Sequence, residues 1–328
     1  MKLHIRHQFR DLGNFYVTNF FYKLYQELQK KYPSHTFDIV NDPSYELNGY
    51  GSIYSCMNFS ILNPDNKKYI VLSFFDNWRY LFMKHLGWNP EFMTQMFYCG
   101  GFNYLDYFYW KDYNWHDNDV CLPIDIANRY HSFFYGPYNT NYENVEDQIY
   151  NNYNIDKALV QLYFRGYMWD FRESMIKEIN QKDILIIDKN QNDNNLDYKD
   201  YLENLTQYRA ALSLPGGTEV CNRDIECFSV GIPVIRPILS VKYPDPLIPN
   251  YHYISCYDSC KYWDGNASYL SYNDFQKSLI NTWEKVKNNI TYLKFISKNA
   301  REWYIRNCTL EANTNYVLSK LNLELLYG

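Results

Sequence analysis

Long apolar runs are absent from this sequence, and so is an excess of basic residues. No run of about eighteen apolar residues occurs in the 328-residue chain, so we predict no transmembrane segment. The first residues, MKLHIRHQFRD, lack the apolar core of a signal peptide, which favours a cytoplasmic location. The chain has 32 Lys and Arg against 37 Asp and Glu, and its formal net charge is -5. Such a chain has no overall basic field, so we expect no nucleic-acid partner and no RNA-stacking role.

The short motifs that mark common cofactor sites are also missing. The eight Cys are scattered, and the pair Cys256 and Cys260 has no His at the spacing of a zinc site. This distribution indicates reduced thiols, and we predict no bound metal. No Gly-x-Gly-x-x-Gly follows a predicted strand, which argues against a nicotinamide-dependent dehydrogenase. We therefore predict no cofactor.

Tyrosine is unusually abundant, with 36 residues. Tyr and Asn are both encoded by AT-rich codons, so the base composition of the gene accounts for this excess without any role in binding. A tyrosine-lined binding surface is the alternative, since aromatic rings can stack on sugar rings. Composition alone leaves both interpretations open.

The first half of the chain opens with a βαβ pattern. A strand is predicted at KLHIRHQF, a helix over residues 14–32 from the spacing of apolar residues, and a second strand at HTFDIV. A third buried strand is predicted at YIVLSFF, which ends before Asp76. Residues 93–150 have weak periodicity, with VCLPIDI as a candidate strand. Residues 135–148 have the composition of a linker.

Strand and helix patterns alternate more clearly after this linker. Strands are predicted at ALVQLYF, DILIID, AALSL, IPVIRP and HYISC, and helices at DFRESMIKEI, YKDYLENLTQY and NRDIECFSV. From Asp274 onward the pattern is helical. We therefore predict an α/β protein with two Rossmann-like, doubly wound parallel sheets in domains 1–148 and 149–328, closed by C-terminal helices. The final helix is a candidate to pack back on the N-terminal domain.

The segment LSLPGGTEVCNRDIECFSVGIPVIRP, residues 212–237, carries the main functional signal. Gly216 and Gly217 follow a predicted strand, where the backbone turns sharply or a ligand approaches closely. Asn222 suits the N-cap of the next helix, and Gly231 suits its C′ position. Ligands of open parallel sheets bind beyond the carboxyl ends of the strands, and a helix N-terminus attracts anions. We therefore predict an anion site at this turn.

Arg223 and Glu226 lie one helical step apart in the same segment. The guanidinium of Arg223 has a fixed charge and a fork of donors that suits phosphate. Glu226 is an acceptor-only carboxylate that can take both hydroxyls of a ribose. A diphosphate beside a ribose is a nucleotide, so the pair predicts a nucleotide-sugar ligand. A surface ion pair between the two, worth a few tenths of a kcal/mol, is the alternative.

The segment YLENLTQYRAALSLPGGTEVCNRDIECFSVGIPVI resembles the donor-binding signature of GT-B glycosyltransferases, and is most similar to the exostosin-like and fucosyltransferase-like groups. Their pattern is a glycine turn, then Arg-x-x-Glu, then Gly-x-Pro-Val-Ile. Upstream, LYFRGYMWDFRESMIKEI is similar to the first strand and loop of their C-terminal domain. The resemblance covers roughly residues 158–237. It implies a GT-B fold, in which an acceptor-binding N-terminal domain faces a donor-binding C-terminal domain across a cleft.

The resemblance also implies roles for individual residues. Arg165, Gly166 and Arg172 would face the donor phosphates. Arg223 would hold the diphosphate and Glu226 the ribose. Two simpler interpretations stay open: Gly166 as an ordinary turn residue, and Arg172 as a solvated helix residue.

The activity that the resemblance implies is transfer of a sugar from a UDP- or GDP-linked donor to a hydroxyl of a glycan or glycoconjugate. Arginines and a helix N-terminus can stabilise a leaving diphosphate without Mg²⁺, so we expect a metal-independent enzyme. No Asp-x-Asp occurs near the donor segment, and the DND at Asp117 and Asp119 is more typical of a loop. Retaining GT-B enzymes of the commonest type have two glutamates with seven residues between them. Here six residues lie between Glu219 and Glu226, so that motif is not carried over.

The general base is expected from the N-terminal domain, at the carboxyl end of a strand. Three residues qualify: Asp76 after the third strand, and His7 and Asp11 after the first. A single carboxylate acting as base in one displacement would invert the anomeric configuration. The alternatives to a transferase are a nucleotide-sugar epimerase of the same fold and a non-catalytic carbohydrate-binding or structural protein.

Overall fold

The computed structural model of the chain describes residues 1–7, 16–41, 58–73, 92–98, 130–132, 144–168, 170–188, 196–215, 220–239, 244–258 and 271–327. Contacts divide the chain into two compact units. Unit 1 comprises Met1–Thr140 and Thr309–Gly328, and unit 2 comprises Asn141–Cys308. The sequence had placed this division between residues 148 and 149.

The secondary structure of the described residues alternates between strands and helices in unit 2 and is less regular in unit 1. In chain order the elements are β1 (Lys2–His7), α1 (Tyr16–Lys31), β2 (Thr36–Asn41), β3 (Asn58–Leu62), β4 (Tyr69–Ser73), β5 (Met93–Tyr98), β6 (Tyr130–Ser132), α2 (Val145–Asn152), β7 (Leu159–Gly166), α3 (Asp170–Ile176), β8 (Ile184–Asp188), α4 (Tyr198–Leu205), β9 (Tyr208–Leu212), α5 (Asn222–Ser229), β10 (Val234–Pro237), β11 (Ile254–Tyr257), α6 (Tyr272–Val286), α7 (Ile290–Asn307), α8 (Leu310–Lys320) and a 3-10 helix (Leu323–Leu326). No helix in these described ranges combines the length and the apolar character that crossing a bilayer requires.

Unit 1 has a mixed sheet, in the strand order β2-β1-β3-β4-β5-β6. The prediction of a parallel sheet is wrong here, because β3 runs antiparallel to both β1 and β4. The physical reason is the short connection between β3 and β4. The backbone N–H of Asn63 donates to the carbonyl of Lys68 at 2.9 Å, and Lys67 adopts a φ of 62°. A parallel crossover needs a dozen residues or more, so this turn forces a hairpin.

The core of unit 1 is formed by the sheet, by one face of α1 and by the C-terminal residues of the chain. Phe20, Leu24 and Leu28 of α1 are buried at helical spacing, as the sequence indicated. They pack in one cluster with apolar residues of α8 and the 3-10 helix, among them Val317 and Leu326. The C-terminal segment is therefore an integral part of this unit.

Unit 2 has a fully parallel five-stranded sheet, in the order β11-β10-β9-β7-β8. This is the doubly wound α/β arrangement that the sequence predicted for the second half. Leu162 and Phe164 of β7 face a core that includes residues of α3, α6 and α7. Tyr163 lies between them in sequence and therefore on the opposite face, where its ring stacks on that of Tyr208 with centroids 4.2 Å apart.

Among the elements that the structure describes, the sequence prediction missed β3, β5, β6 and α2. α2 begins at Val145, inside the segment interpreted as a linker, because Val145 and Ile149 bury one side of a short, otherwise polar helix. The candidate strand at VCLPIDI lies outside the described residues.

Candidate functional site

The strand order of unit 2 defines where a ligand is expected. The chain leaves β7 for β8 on one side and then returns to β9 on the other side of β7. The two neighbours β7 and β9 therefore form the topological switch point of the sheet, and ligands of such sheets bind at the carboxyl ends of these strands. Gly166 ends β7, while Leu214 and Pro215 follow β9.

Arg223 lies at this edge and is buried. It is the second residue of α5, and its side chain is 9% exposed. Its Nη2 donates a hydrogen bond to the carbonyl of Arg165, and its Cζ lies 4.4 Å from the ring centroid of Phe164. Because the guanidinium packs on the end of β7, the alternative of a surface ion pair with Glu226 is excluded.

The guanidinium of Arg223 keeps unused donors. A guanidinium has five N–H groups. The one on Nε and the two on Nη1 have no hydrogen-bond partner among the described residues, although they are buried. Burial opposes the charge of this group, but nearby acidic groups, first of all Tyr201, outweigh burial and raise the pKa of Arg223. A buried cation with open donors at a switch point is suited to bind an anion.

Gly166 provides the space that Arg223 occupies. A Cβ at this position would lie 2.5 Å from Nη2 of Arg223 and 3.2 Å from Cζ of Phe164. Any other residue here would push the guanidinium away from the end of β7. Gly166 therefore determines where the charge of Arg223 lies, which is a more specific task than an ordinary turn.

Arg172 stabilises the backbone segments that follow β7 and β9. It is 8% exposed, which excludes a solvated helix residue. Nε donates to the carbonyl of Pro215 at 2.7 Å, Nη2 to that of Leu214 at 3.1 Å and Nη1 to that of Tyr167 at 3.2 Å. These bonds satisfy carbonyls beyond the regular sheet. We therefore assign Arg172 to shaping the site rather than to contacting a ligand.

Arg165 is the third buried arginine at this edge, with 8% exposure. Its carbonyl accepts a hydrogen bond from Nη2 of Arg223. The structure thus brings Arg165, Gly166, Arg172 and Arg223 together at one edge of the sheet.

Glu226 lies one helical turn after Arg223 and is half-buried. The charge of its carboxylate acts on the hydroxyl of Tyr201, which is on α4. Burial, and then the charge of Glu226, raise the pKa of Tyr201 well above its usual range. The phenol therefore stays protonated. The sequence prediction missed Tyr201, whose only sequence signal is the helical spacing that it shares with Tyr198.

The N-terminus of α5 is fixed by Asp224, which the sequence prediction also missed. Cys221 has extended dihedral angles and is the N-cap, so the prediction of Asn222 as N-cap is wrong by one residue. The Asp224 carboxylate accepts from the backbone N–H of Cys221 at 2.8 Å, as in a capping box, and lies 2.6 Å from Nη1 of Arg236. Asp224 and Arg236 are 0% and 1% exposed. The sequence did contain a signal for this role, since an acidic residue at the third position of a helix is typical of a capping box.

The C-terminus of α5 ends in a Schellman motif, and the prediction for Gly231 is confirmed. Gly231 has a φ of 72°. Its N–H donates to the carbonyl of Phe228 at 3.2 Å, and the N–H of Ile232 donates to that of Cys227 at 2.9 Å. With both ends defined, α5 holds Arg223 and Glu226 at fixed positions relative to β7.

Burial suppresses ionisation of the two thiols beside the site. Burial raises the pKa of Cys221 to about 11 and that of Cys227 well above its usual range. The Cys221 thiol donates to the carbonyl of Leu214 at 3.1 Å. Among the described residues, no group of His, Cys, Asp and Glu side chains is arranged to hold a metal ion.

Several predicted residues lie outside the described residues. These are Gly216 and Gly217 of the turn, and Asp11 and Asp76 among the candidate bases. His7 is the last residue of β1, and the structure describes its backbone only. The candidate bases therefore stay predictions.

No model of a known protein family matches this chain. A search among curated proteins finds no match either. The resemblance to GT-B glycosyltransferases is thus carried by the two sequence segments described above.

Proposed function

We propose that this protein is a glycosyltransferase that binds a nucleoside-diphosphate sugar at the carboxyl edge of the unit 2 sheet. The observation that carries the proposal is the buried guanidinium of Arg223, whose Nε and Nη1 have no partner among the described residues at the β7–β9 switch point. An anion placed there would satisfy these donors. The diphosphate of a nucleotide sugar is such an anion.

The charges around the site favour a multiply charged anion. Arg165, Arg172 and Arg223 are all buried at this edge. The carboxylate of Asp224 faces Arg236, and Glu226 is the one other acidic residue of α5. The local balance is positive, so the site favours a diphosphate over a neutral sugar.

The same residues would support the chemical step. The acceptor oxygen forms a bond to the anomeric carbon while the bond from that carbon to the diphosphate oxygen breaks. The electron pair stays on the leaving diphosphate, and the acceptor proton passes to a base. Fixed donors of Arg223 stabilise the charge that develops on the leaving group. We expect inversion at the anomeric carbon and no metal requirement, within a GT-B arrangement of two Rossmann-like domains and a cytoplasmic location.

Nucleotide binding is the first test. UDP or GDP should raise the melting temperature of the wild-type protein, because a ligand that binds the native state stabilises it. Arg223→Ala should weaken binding at least about 30-fold, or on the order of 2 kcal/mol. Arg209→Ala is the matched control, since Arg209 is also buried but donates to the carbonyl of Lys287 at 2.9 Å. Equal affinity in wild type and Arg223→Ala would refute the proposed site.

Turnover of labelled UDP- and GDP-sugars then separates the activities. Slow hydrolysis of the donor and transfer to glycan acceptors support a transferase, whereas formation of the 2-epimer supports an epimerase. Binding without turnover supports a non-catalytic carbohydrate-binding protein. Activity should survive EDTA, and a strict requirement for Mn²⁺ contradicts the metal-free mechanism.

The base can be identified among the three predicted residues. Asp76→Asn, Asp11→Asn and His7→Gln should each keep nucleotide binding. We expect one of them to lose transfer by about 100-fold or more, as removal of a general base does. Full activity in all three variants would exclude this set.

A further inference from the structure

The end of α8 is attached to the sheet of unit 1 by the amide of Gln95. Gln95 lies on β5 and is 4% exposed. Its Nε2 donates to the carbonyl of Lys320 at 2.7 Å, and its Oε1 accepts from the backbone N–H of Asn322 at 3.1 Å. Lys320 is the last residue of α8, so this side chain satisfies backbone groups where the helix ends. One amide therefore holds the turn that leads into the 3-10 helix.

The backbone determines the orientation of this amide. A carbonyl can only accept a hydrogen bond, and a backbone N–H can only donate one. Oε1 of Gln95 must therefore face Asn322, and Nε2 must face Lys320. An amide nitrogen has two hydrogens, and Nε2 of His131 on β6 lies 2.9 Å from Nε2 of Gln95. The imidazole must then be the acceptor, which requires a neutral ring with its proton on Nδ1.

Protonation of His131 is incompatible with this arrangement. An imidazolium has an N–H on both ring nitrogens, so two donors would face each other at 2.9 Å. If Gln95 turned its Oε1 toward His131, it would lose its bonds to both backbone groups. The surroundings of the imidazole oppose the charge as well. β5 faces it with Gln95 and Phe97, which do not titrate, and burial followed by the charge of Lys320 on α8 lowers the pKa of His131.

We propose that His131 and Gln95 form a pH-dependent latch, which attaches residues 320–327 to the sheet of unit 1 at neutral pH and releases them in mild acid. The side chains of Leu321 and Leu323 belong to the core cluster of this unit. Release therefore uncovers part of the core of unit 1. The latch lies within unit 1 and involves no nucleotide, so its test is independent of the proposed function.

Hydrogen exchange on the full chain tests the latch. The N–H of Asn322 is bonded to Gln95, so its protection factor reports the attachment. This factor compares the observed exchange rate with the intrinsic rate at the same pH, so the effect of pH on the exchange chemistry cancels. In the released segment His131 regains its ordinary pKa of 6.5, so acid favours release below that value. From pH 7 to pH 5 we expect the protection factor to fall about tenfold.

Two variants show whether His131 is responsible. His131→Gln retains a side-chain acceptor that does not titrate, and its protection factor should change by less than about twofold over the same range. His35→Gln is the matched control, because the ring of His35 also packs on the chain end, 5.9 Å from that of Tyr327. This control should keep the tenfold fall. A fall that persists in His131→Gln, or that is missing in the wild type, overturns the proposal.

Two further measurements keep the proposal testable if His131→Gln does not fold. Nitrogen NMR of isotope-labelled histidine should find His131 as the Nδ1–H tautomer at pH 7, and the Nε2–H tautomer would overturn the proposal. Gln95→Met removes the amide while keeping a side chain of similar length. It should lower the protection of Asn322 already at pH 7 and remove its pH dependence, whereas a merely structural contact leaves the pH dependence of the wild type in place.

Discussion

At the edge of the unit 2 sheet, a residue without a side chain, Gly166, determines where the charged side chain of Arg223 lies. Gly166 contributes no side chain, and Nη2 of Arg223 lies 2.5 Å from the position where its Cβ would be. The carbonyl of Arg165 and the ring of Phe164 complete this pocket for the cation. The charge is therefore positioned by three consecutive residues of β7.

The variant Gly166→Ala tests this relation. The added methyl group would lie 2.5 Å from Nη2 of Arg223, so the guanidinium must move. We expect about tenfold weaker nucleotide binding, or 1.4 kcal/mol, with a loss of less than about 1 kcal/mol in unfolding free energy because the displaced group is the end of a flexible side chain. Calorimetry and chemical denaturation measure the two quantities.

Gly231→Ala is the opposite control. Gly231 has a φ of 72°, and a Cβ there would lie 2.6 Å from the ring of Tyr150. This variant should lose about 1–2 kcal/mol of stability or more and keep nucleotide affinity. If Gly166→Ala binds nucleotide as the wild type does, the role assigned to Gly166 is wrong.

His252 should make unit 2 less stable in mild acid. Burial lowers the pKa of this imidazole from 6.5 to about 4, and its Nδ1 accepts from the N–H of Ile248 at 2.9 Å. Between pH 6.5 and about pH 4, the imidazole of His252 binds a proton in the unfolded chain but not in the folded unit, so the free energy of unfolding decreases as the pH falls. From pH 7 to pH 5 we expect a loss of about 2 kcal/mol from this group. Denaturation of His252→Asn should show a correspondingly weaker pH dependence, and an identical one would contradict the prediction.

At this scale the sequence predicted Arg223 as a site residue, but it gave no information on what surrounds the guanidinium. The carbonyl that accepts from Arg223 belongs to Arg165, 58 residues earlier, and sequence spacing gives no information on such a contact. Tyr201 was missed for the same reason. From sequence alone, a tyrosine on a helix face is interpreted as a core residue, because the sequence does not show that the charge of Glu226 lies near it.

Elements with a strong apolar period could be predicted, and weakly patterned ones could not. α1, α5 and the strands of unit 2 follow the sequence closely because their buried faces repeat at the expected spacing. β3 was missed although it precedes a turn with Pro64 and Asp65, residues that favour hairpins. β5 and β6 were missed because their alternation is short and lies in a tyrosine- and asparagine-rich segment.

The N-terminus of α5 provides a test at this scale. Asp224→Asn removes the charge that faces Arg236 inside the protein and weakens the cap of the helix. Breaking a buried ion pair from one side costs about 3–5 kcal/mol, and we expect a loss of that size in chemical denaturation. Asp200→Asn, in the exposed first turn of α4, is the matched control and should cost less than about 1 kcal/mol. A small loss in Asp224→Asn would show that the pair contributes little.

At the scale of the whole molecule, the parallel sheet of unit 2 could be predicted from its βα repeats, whereas the mixed sheet of unit 1 could not. Each βα repeat requires a crossover and hence a parallel neighbour. Unit 1 has a hairpin between two such regions, and it takes part of its core from the end of the chain. Neither feature leaves a periodic signal.

The contribution of the chain end can be measured. Leu326 is fully buried, and its carbonyl accepts from Nδ2 of Asn63 at 2.9 Å. Leu326→Ala should destabilise unit 1 by about 2–5 kcal/mol, as other large-to-small core changes do. Leu325→Ala, at the half-buried neighbour, is the control and should cost less. Equal stability of Leu326→Ala and the wild type would show that the last residues are dispensable.

The discontinuity of unit 1 has a consequence for the order of events during synthesis. Unit 2 is one uninterrupted stretch, Asn141–Cys308, so all of its contacts exist once Cys308 has left the ribosome. Unit 1 needs residues from both termini, because Val317 and Leu326 complete its core. Unit 1 therefore cannot complete its core until residues 309–328 have been translated, and its strands β1 and β2 lack part of their cover while unit 2 can already fold.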